Sequence, residues 1–334
     1  MSIYFVDTSW GADLVAKTHQ GIWLGRDTVF TYGPLFQKLL SWGPSRHGTS
    51  LGSFYIYLWV FQYSTIIISI YVAGAFLLRR QSSWVRVFYL LLLTVFWVPI
   101  NWILFDIKLL FPLGCFAIFL RMLPAPGTGF WSLCRRAGMV ATLIAVAFLI
   151  SGDAGIYSAA ALAGVTKYVA LTGSYFFVLV FIINGLLGKV LDFHFWRETY
   201  EVSSHYRWSQ AVRMFPEMTS IFWLVVTLNL VVFLWQWMIH SRMPSLPSRA
   251  RTTWLAMLGF GVVCLQTLLV SSEHFHVAIG LFPWIALSVA LLLGATEIQV
   301  SFWRLMVSVC VVLVITGVFS GPYGLFTSRN WLWS

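Results

Sequence analysis

Charge is what this chain has least of. Only 10% of its 334 residues are Asp, Glu, Lys or Arg, against about a quarter in a soluble globular domain. With 59% of residues hydrophobic and a mean hydropathy of +0.82, there is too little polar surface to cover a water-soluble core, so the sequence predicts a polytopic membrane protein. Acids are scarcer still: 11 against 21 Lys and Arg leave a net charge of +10. No basic stripe outside the short loops is large enough to fit a groove, which argues against nucleic acid as a partner. Cysteine is sparse as well. Cys115, Cys134, Cys264 and Cys310 stand apart, with no CxxC and no metal-ligand spacing, and imply neither disulfides nor a zinc knot. No internal repeat is evident, which weakens a transporter built on inverted halves. Residues 1–50 hold no apolar core of the signal-peptide kind.

Aromatic residues are plentiful. The 18 Trp, 13 Tyr and 28 Phe suit two interfacial belts and an aromatic-lined cavity. The apolar runs predict an all-α transmembrane bundle of about eight to ten spans, since a core of about 30 Å needs about 20 helical residues. Expected spans are 51–78, 87–103, one ending at Arg121, one from 137 to Ile150, a short crossing or re-entrant helix over 154–166, 168–188, 219–239, 253–270, 277–296 and 302–320. Residues 1–50 are mixed and belong outside the hydrocarbon, as an outer-face loop with juxtamembrane helices. Residues 321–334 form a short outer tail.

The positive-inside rule orients this bundle. With residues 1–50 outside and ten crossings, Arg79, Arg80, Arg86, Arg121, Arg135, Arg136, Lys167, Arg242, Arg249, Arg251 and Arg304 fall inside, opposed only by Glu297. That assignment places Asp27, Asp106, Asp153, Glu273, His274 and His276 on the outer side. A segment of about 50 polar residues rarely crosses without a preceding span. A missing first helix, or a partner protein supplying it, is therefore expected.

Gly25 to Leu35, GRDTVFTYGPL, is the stretch around which a site is expected. Asp27 is its one carboxylate, and Tyr32-Gly33-Pro34 is a turn signal able to hold a fixed loop; an interfacial loop anchored by its aromatics explains the same residues. Ser271-Ser272-Glu273-His274-Phe275-His276 lies on the same predicted face. Glu273 and His276 are three apart and share a face on a helical turn, where they could bind a phosphate, a hydroxyl or a metal. A divalent metal such as Mn²⁺ or Zn²⁺ suits Glu273, His274, His276 and Asp27, although nothing in the spacing demands one. Asp106 and Lys108 sit in a very short turn, either as an ion pair capping two helices or, for Asp106, as an outer-face contact.

These pieces together, GRDTVFTYGPL, TKYVALTGSYFF, WRETYEVSSHYRWSQAV and SSEHFH, resemble bacterial polytopic proteins similar to the GT-C superfamily of membrane glycosyltransferases. The resemblance implies transfer of a sugar from a polyprenyl-phosphate donor on the outer face of a bacterial inner membrane. It also implies an acidic general base in the first outer loop, matched here by Asp27. Arg26, Tyr32, Asp106, Glu273, His274 and His276 are then the substrate-binding candidates, the first and the histidines as partners of the phosphate. Membrane lipid and the polyprenyl-phosphate donor are the expected partners. The turn reads Glu-His-Phe-His and not Asp-x-x-His, and no soluble outer domain follows the last span. A non-catalytic membrane subunit, or a lipid or polysaccharide transport protein, would use the same helices.

Overall fold

The computed structural model describes residues 4–24, 27–28, 32–42, 51–100, 107–122, 129–160, 172–179, 182, 197–198, 200–202, 216–241, 248–264, 274–295 and 302–320. Of these, 89% are helical and none lies in a strand. The chain is all-α, as the apolar runs predict. It divides into two compact units, residues 1–69 with 103–209 and residues 70–102 with 210–334.

The first unit contains α1 (Tyr4–His19), α2 (Pro34–Trp42), α3 (Leu51–Leu77) as far as Ser69, α5 (Ile107–Met122), α6 (Phe130–Ile150) and α7 (Gly152–Ala160). Among the described residues, α6 is the one helix both long and apolar enough to cross a membrane, at 21 residues. It stops at Ser151, whose extended backbone breaks the helix while its N–H still reaches the Ala147 carbonyl. The chain then turns into α7, which packs against both α6 and α5. Gly155 makes that turn possible, because a Cβ there would strike the Phe148 ring. Residues 161–166 of the expected short crossing lie outside the described residues.

The second unit holds the remainder of α3 from Ile70, α4 (Ser83–Ile100), α8 (Pro216–Ser241), α9 (Ser248–Cys264), α10 (His274–Leu292) and α11 (Phe302–Ser320). Its centre is α10, buried on every side from Leu281 to Leu293 and packed against α4, α8, α9 and α11. This all-round apolar helix is what full burial requires. Its C-terminus closes in a Schellman turn: Ala295 N–H bonds Ala290 O at 2.9 Å and Gly294 N–H bonds Leu291 O at 3.0 Å. Gly294 supplies the left-handed φ of 79° that this cap needs.

Paired contacts along α10 set the directions of its neighbours. Gln81 donates to Gly294 O at 2.8 Å, and Tyr89 to Ala286 O at 3.3 Å. Advancing along the α4 side thus means retreating along α10, so the two are antiparallel. On the other side Ser288 donates to Asn229, and Phe233 meets Trp284 edge to face at 5.6 Å. Helix α8 is therefore also antiparallel to α10, and the same register brings Ser241 level with His276.

Helix α9 packs on α10 as well, with Gly261 against the Trp284 indole. Three alternating crossings over 219–239, 253–270 and 277–296 would run α8 and α10 in the same direction, whereas the Ser288–Asn229 and Phe233–Trp284 contacts run them in opposite directions. The end of α8, at Ser241, is therefore at the opposite end of this unit from the start of α4, at Ser83.

Candidate functional site

The loop expected to carry the site begins where α1 ends. Gly21 takes the left-handed conformation, φ 74°, while Gly21 N–H bonds Thr18 O at 3.1 Å and Ile22 N–H bonds Lys17 O at 2.9 Å. This is again a Schellman cap, and Lys17 and His19 in the last turn complement the helix dipole. Beyond it the chain folds back on itself at Trp23. Trp23 N–H donates to Asp27 Oδ2 at 2.9 Å, and Asp27 N–H donates to Trp23 O at 2.9 Å. Leu24 and Thr28 form an isolated bridge within the same turn. Asp27 is exposed, with a carboxylate oxygen oriented by its own loop.

Gln37, on α2, ties the loop down. Completely buried, its Oε1 accepts from Leu24 N–H at 2.7 Å. Its Nε2 donates to Ile22 O at 2.9 Å and to Leu14 O at 3.3 Å. One side chain thus satisfies three backbone groups from α1 and the loop, which buried polar groups need. Lys38, its neighbour, lies 5.2 Å over the Trp23 ring, a cation–π contact at the surface. Apolar packing closes the underside: Leu14, Val15, Leu24, Tyr32, Phe36, Leu40, Phe54 and Ile150 form one buried cluster.

The YGPL turn is built for close approach. Gly33 N–H donates to Ile150 O at 2.8 Å, and a Cβ at Gly33 would collide with the Leu149 carbonyl. Pro34 begins α2, where its missing N–H costs nothing and its fixed φ suits the first turn. Tyr32 stacks on Phe36 with centroids 4.3 Å apart and is 9% exposed. Its ring is part of the core, where the Gly33 contact with α6 draws the turn inward.

The other candidates fall elsewhere. Arg26, Asp106 and Glu273 lie outside the described residues. His274 and His276 occupy the first turn of α10, in the second unit, whereas Asp27 belongs to the first. Among the described residues, no group of three or more His, Cys, Asp or Glu gathers as a metal would need. Sequence reading missed Gln37, which in PLFQKLLSW looks like an ordinary exposed position between two apolar pairs. Its one signal is that Gln37 and Ser41, both buried, stand one helical turn apart beside Phe36 and Leu40. No family model, no curated protein and no solved structure matches this chain.

Proposed function

We propose that the protein is a polytopic integral membrane protein that transfers a sugar from a polyprenyl-phosphate donor on the outer face of a bacterial inner membrane, with Asp27 as general base. Its apolar exterior supports the membrane part. Trp131 at 82%, Trp84 at 78% and Trp303 at 76% exposure stand in the first turns of α6, α4 and α11, where lipid–water interfaces favour Trp. Ile67, Ile68 and Tyr71 are exposed on α3, as are Leu230, Val231 and Leu234 on α8. Apolar faces of this extent are rare on soluble monomers and are satisfied by acyl chains.

The observation that carries the enzymatic part is the tethered, exposed carboxylate of Asp27. A general base needs a fixed position within hydrogen-bond reach of the acceptor hydroxyl. The Trp23 N–H and the Gln37-bound loop supply that fixity before any substrate arrives. In the reaction the acceptor O–H proton passes to the Asp27 carboxylate as the acceptor oxygen bonds the anomeric carbon. The bond from that carbon to the phosphate oxygen breaks, and polyprenyl phosphate leaves with the electron pair.

The same hydrogen bond favours a second function, that of a non-catalytic membrane subunit in which Asp27 only shapes its loop. Two substitutions separate them. Asp27→Asn keeps an oxygen for Trp23 N–H but removes the base, while Asp27→Ala removes both. For an enzyme, transfer of radiolabelled sugar from polyprenyl phosphate should fall by about 10²- to 10⁴-fold in Asp27→Asn, with thermal stability unchanged. Should Asp27→Asn behave as wild type while Asp27→Ala unfolds the loop, Asp27 is structural and the subunit function stands.

A further inference from the structure

The loop that positions Asp27 also positions a cation, and both contact one residue. Trp23 is bonded to Asp27 through its main chain in both directions, Trp23 N–H to Asp27 Oδ2 and Asp27 N–H to Trp23 O, each at 2.9 Å. On the side-chain face of the same residue the Lys38 ammonium lies over the indole, 5.2 Å from the ring centroid. We propose that the Trp23 indole and Lys38 form the donor side of the site whose base is Asp27. The ring takes the face of a phosphate-linked sugar, and the ammonium takes its phosphate.

Buried hydrogen bonds fix this arrangement. Gln37, the residue before Lys38, accepts from Leu24 N–H at 2.7 Å and donates to Ile22 O at 2.9 Å, so α2 grips the loop on both flanks of Trp23. Trp23 thus links base and cation, with one on its main chain and the other on its ring. An in-line displacement needs the two held apart in a fixed relation, because the sugar separates the incoming acceptor oxygen from the departing phosphate.

Charge singles out Lys38. Lys17, in the last turn of α1, is paired with Asp13 at 2.7 Å, whereas among the described residues no carboxylate pairs with Lys38, which is exposed. A surface cation–π contact is weak, and a charge-assisted hydrogen bond to phosphate is stronger. A phosphate therefore draws the ammonium off the ring, and the uncovered indole offers its broad apolar face to the C–H face of the sugar. Of the phosphate partners expected from sequence, His274 and His276 belong to the second unit; Lys38 is a cation in the same unit as Asp27.

This donor side deepens the proposed transferase function and rests on it for the substrate. It is tested on the full-length protein in phosphatidylcholine nanodiscs, by calorimetric titration with two water-soluble short-chain probes, a prenyl phosphate and the corresponding prenyl-phosphate glucose. Wild type should bind both saturably, and Lys38→Gln should weaken both at least about tenfold, the share of one charge-assisted hydrogen bond. Lys38→Arg keeps the charge and should restore binding. Lys17→Gln makes the same charge change on an ion-paired lysine and should bind as wild type. Trp23→Leu retains the main-chain N–H for Asp27 and should weaken the glucose-bearing probe while leaving the prenyl phosphate no weaker.

Equal loss in Lys17→Gln and Lys38→Gln, no loss in Lys38→Gln, or no binding of either probe by wild type overturns the donor side. An equal effect of Trp23→Leu on both probes overturns the part given to the ring. Inorganic phosphate that competes as strongly as the prenyl phosphate identifies a soluble anion and overturns the lipid donor. Transfer assays on the same samples separate this inference from the function beneath it. Transfer lost in Asp27→Asn, with binding undiminished in Lys38→Gln, overturns the donor side and leaves the base standing. Lys38-dependent binding in a protein that transfers no sugar in any form leaves the binding site standing and overturns the transferase function alone.

Discussion

Gln37 shows how one residue decides whether the candidate loop has a fixed shape. Its amide occupies Leu24 N–H, Ile22 O and Leu14 O simultaneously. Replacement by Leu keeps the volume but leaves these buried groups unpaired, each at about 1 to 3 kcal/mol. Gln37→Leu should therefore destabilise the first unit by about 3 kcal/mol or more, with Leu24 amide hydrogen exchange accelerated well beyond that of α6 amides. Unchanged protection of the Leu24 amide would mean that the loop is held by the apolar cluster alone. Asp27 belongs to the same scale, because its carboxylate is positioned from within five residues of sequence. Asp27 and the YGPL turn were legible in the chain as the centre of a loop; the burial of Gln37 was not. Periodicity assigns a glutamine between Phe36 and Lys38 to a boundary, and only the loop lying over it turns that boundary into interior.

Helix ends, more than helix interiors, control how the elements meet. Both Schellman caps turn on a glycine in the left-handed conformation, Gly21 and Gly294. Gly33 is a different case. It is needed for contact with the last turn of α6, where a Cβ would meet the Leu149 carbonyl, and backbone cannot move aside as a side chain can. Gly33→Ala should cost about 2 kcal/mol or more, within the range of overpacking, and should loosen α2 from α6. The check is thermal unfolding combined with protection of the Gln37 amide, which bonds Gly33 O at 3.3 Å. A wild-type melting temperature in Gly33→Ala would show that α2 and α6 have room to separate. At this scale α6 ends at Ile150, as its hydropathy put it, but begins at Phe130, ahead of the expected 137. The break at Ser151 was expected from Ser-Gly-Asp, and the short helix after it packs on α5 and α6, as a re-entrant piece rich in small residues can.

For the whole molecule, the charge count predicted one positive face built from eleven bases. The contacts of α10 bear on that set: within the second unit, Arg79 and Arg80 lie at the end marked by Gln81 and Gly294, and the end of α8, at Ser241, lies at the end marked by His276. In a membrane, single cysteines at Ser82 and Ser241 should accordingly react with an impermeant maleimide from opposite sides. Labelling of both from one side would restore the alternating crossings and overturn the antiparallel pair α8 and α10.

Composition determined that this chain exposes apolar residues as well as burying them, because 10% charge leaves few residues able to face water, and the length of the apolar runs determined that it is helical. Local sequence also determined the caps and the turn at Gly33-Pro34, since glycine and proline act through their own backbone torsions. Tertiary structure decided the directions of α4, α8 and α10. Direction depends on long-range pairs such as Asn229 with Ser288 and Gln81 with Gly294. Neither hydropathy nor charge counting contains a distance, so neither could tell an antiparallel neighbour from a parallel one.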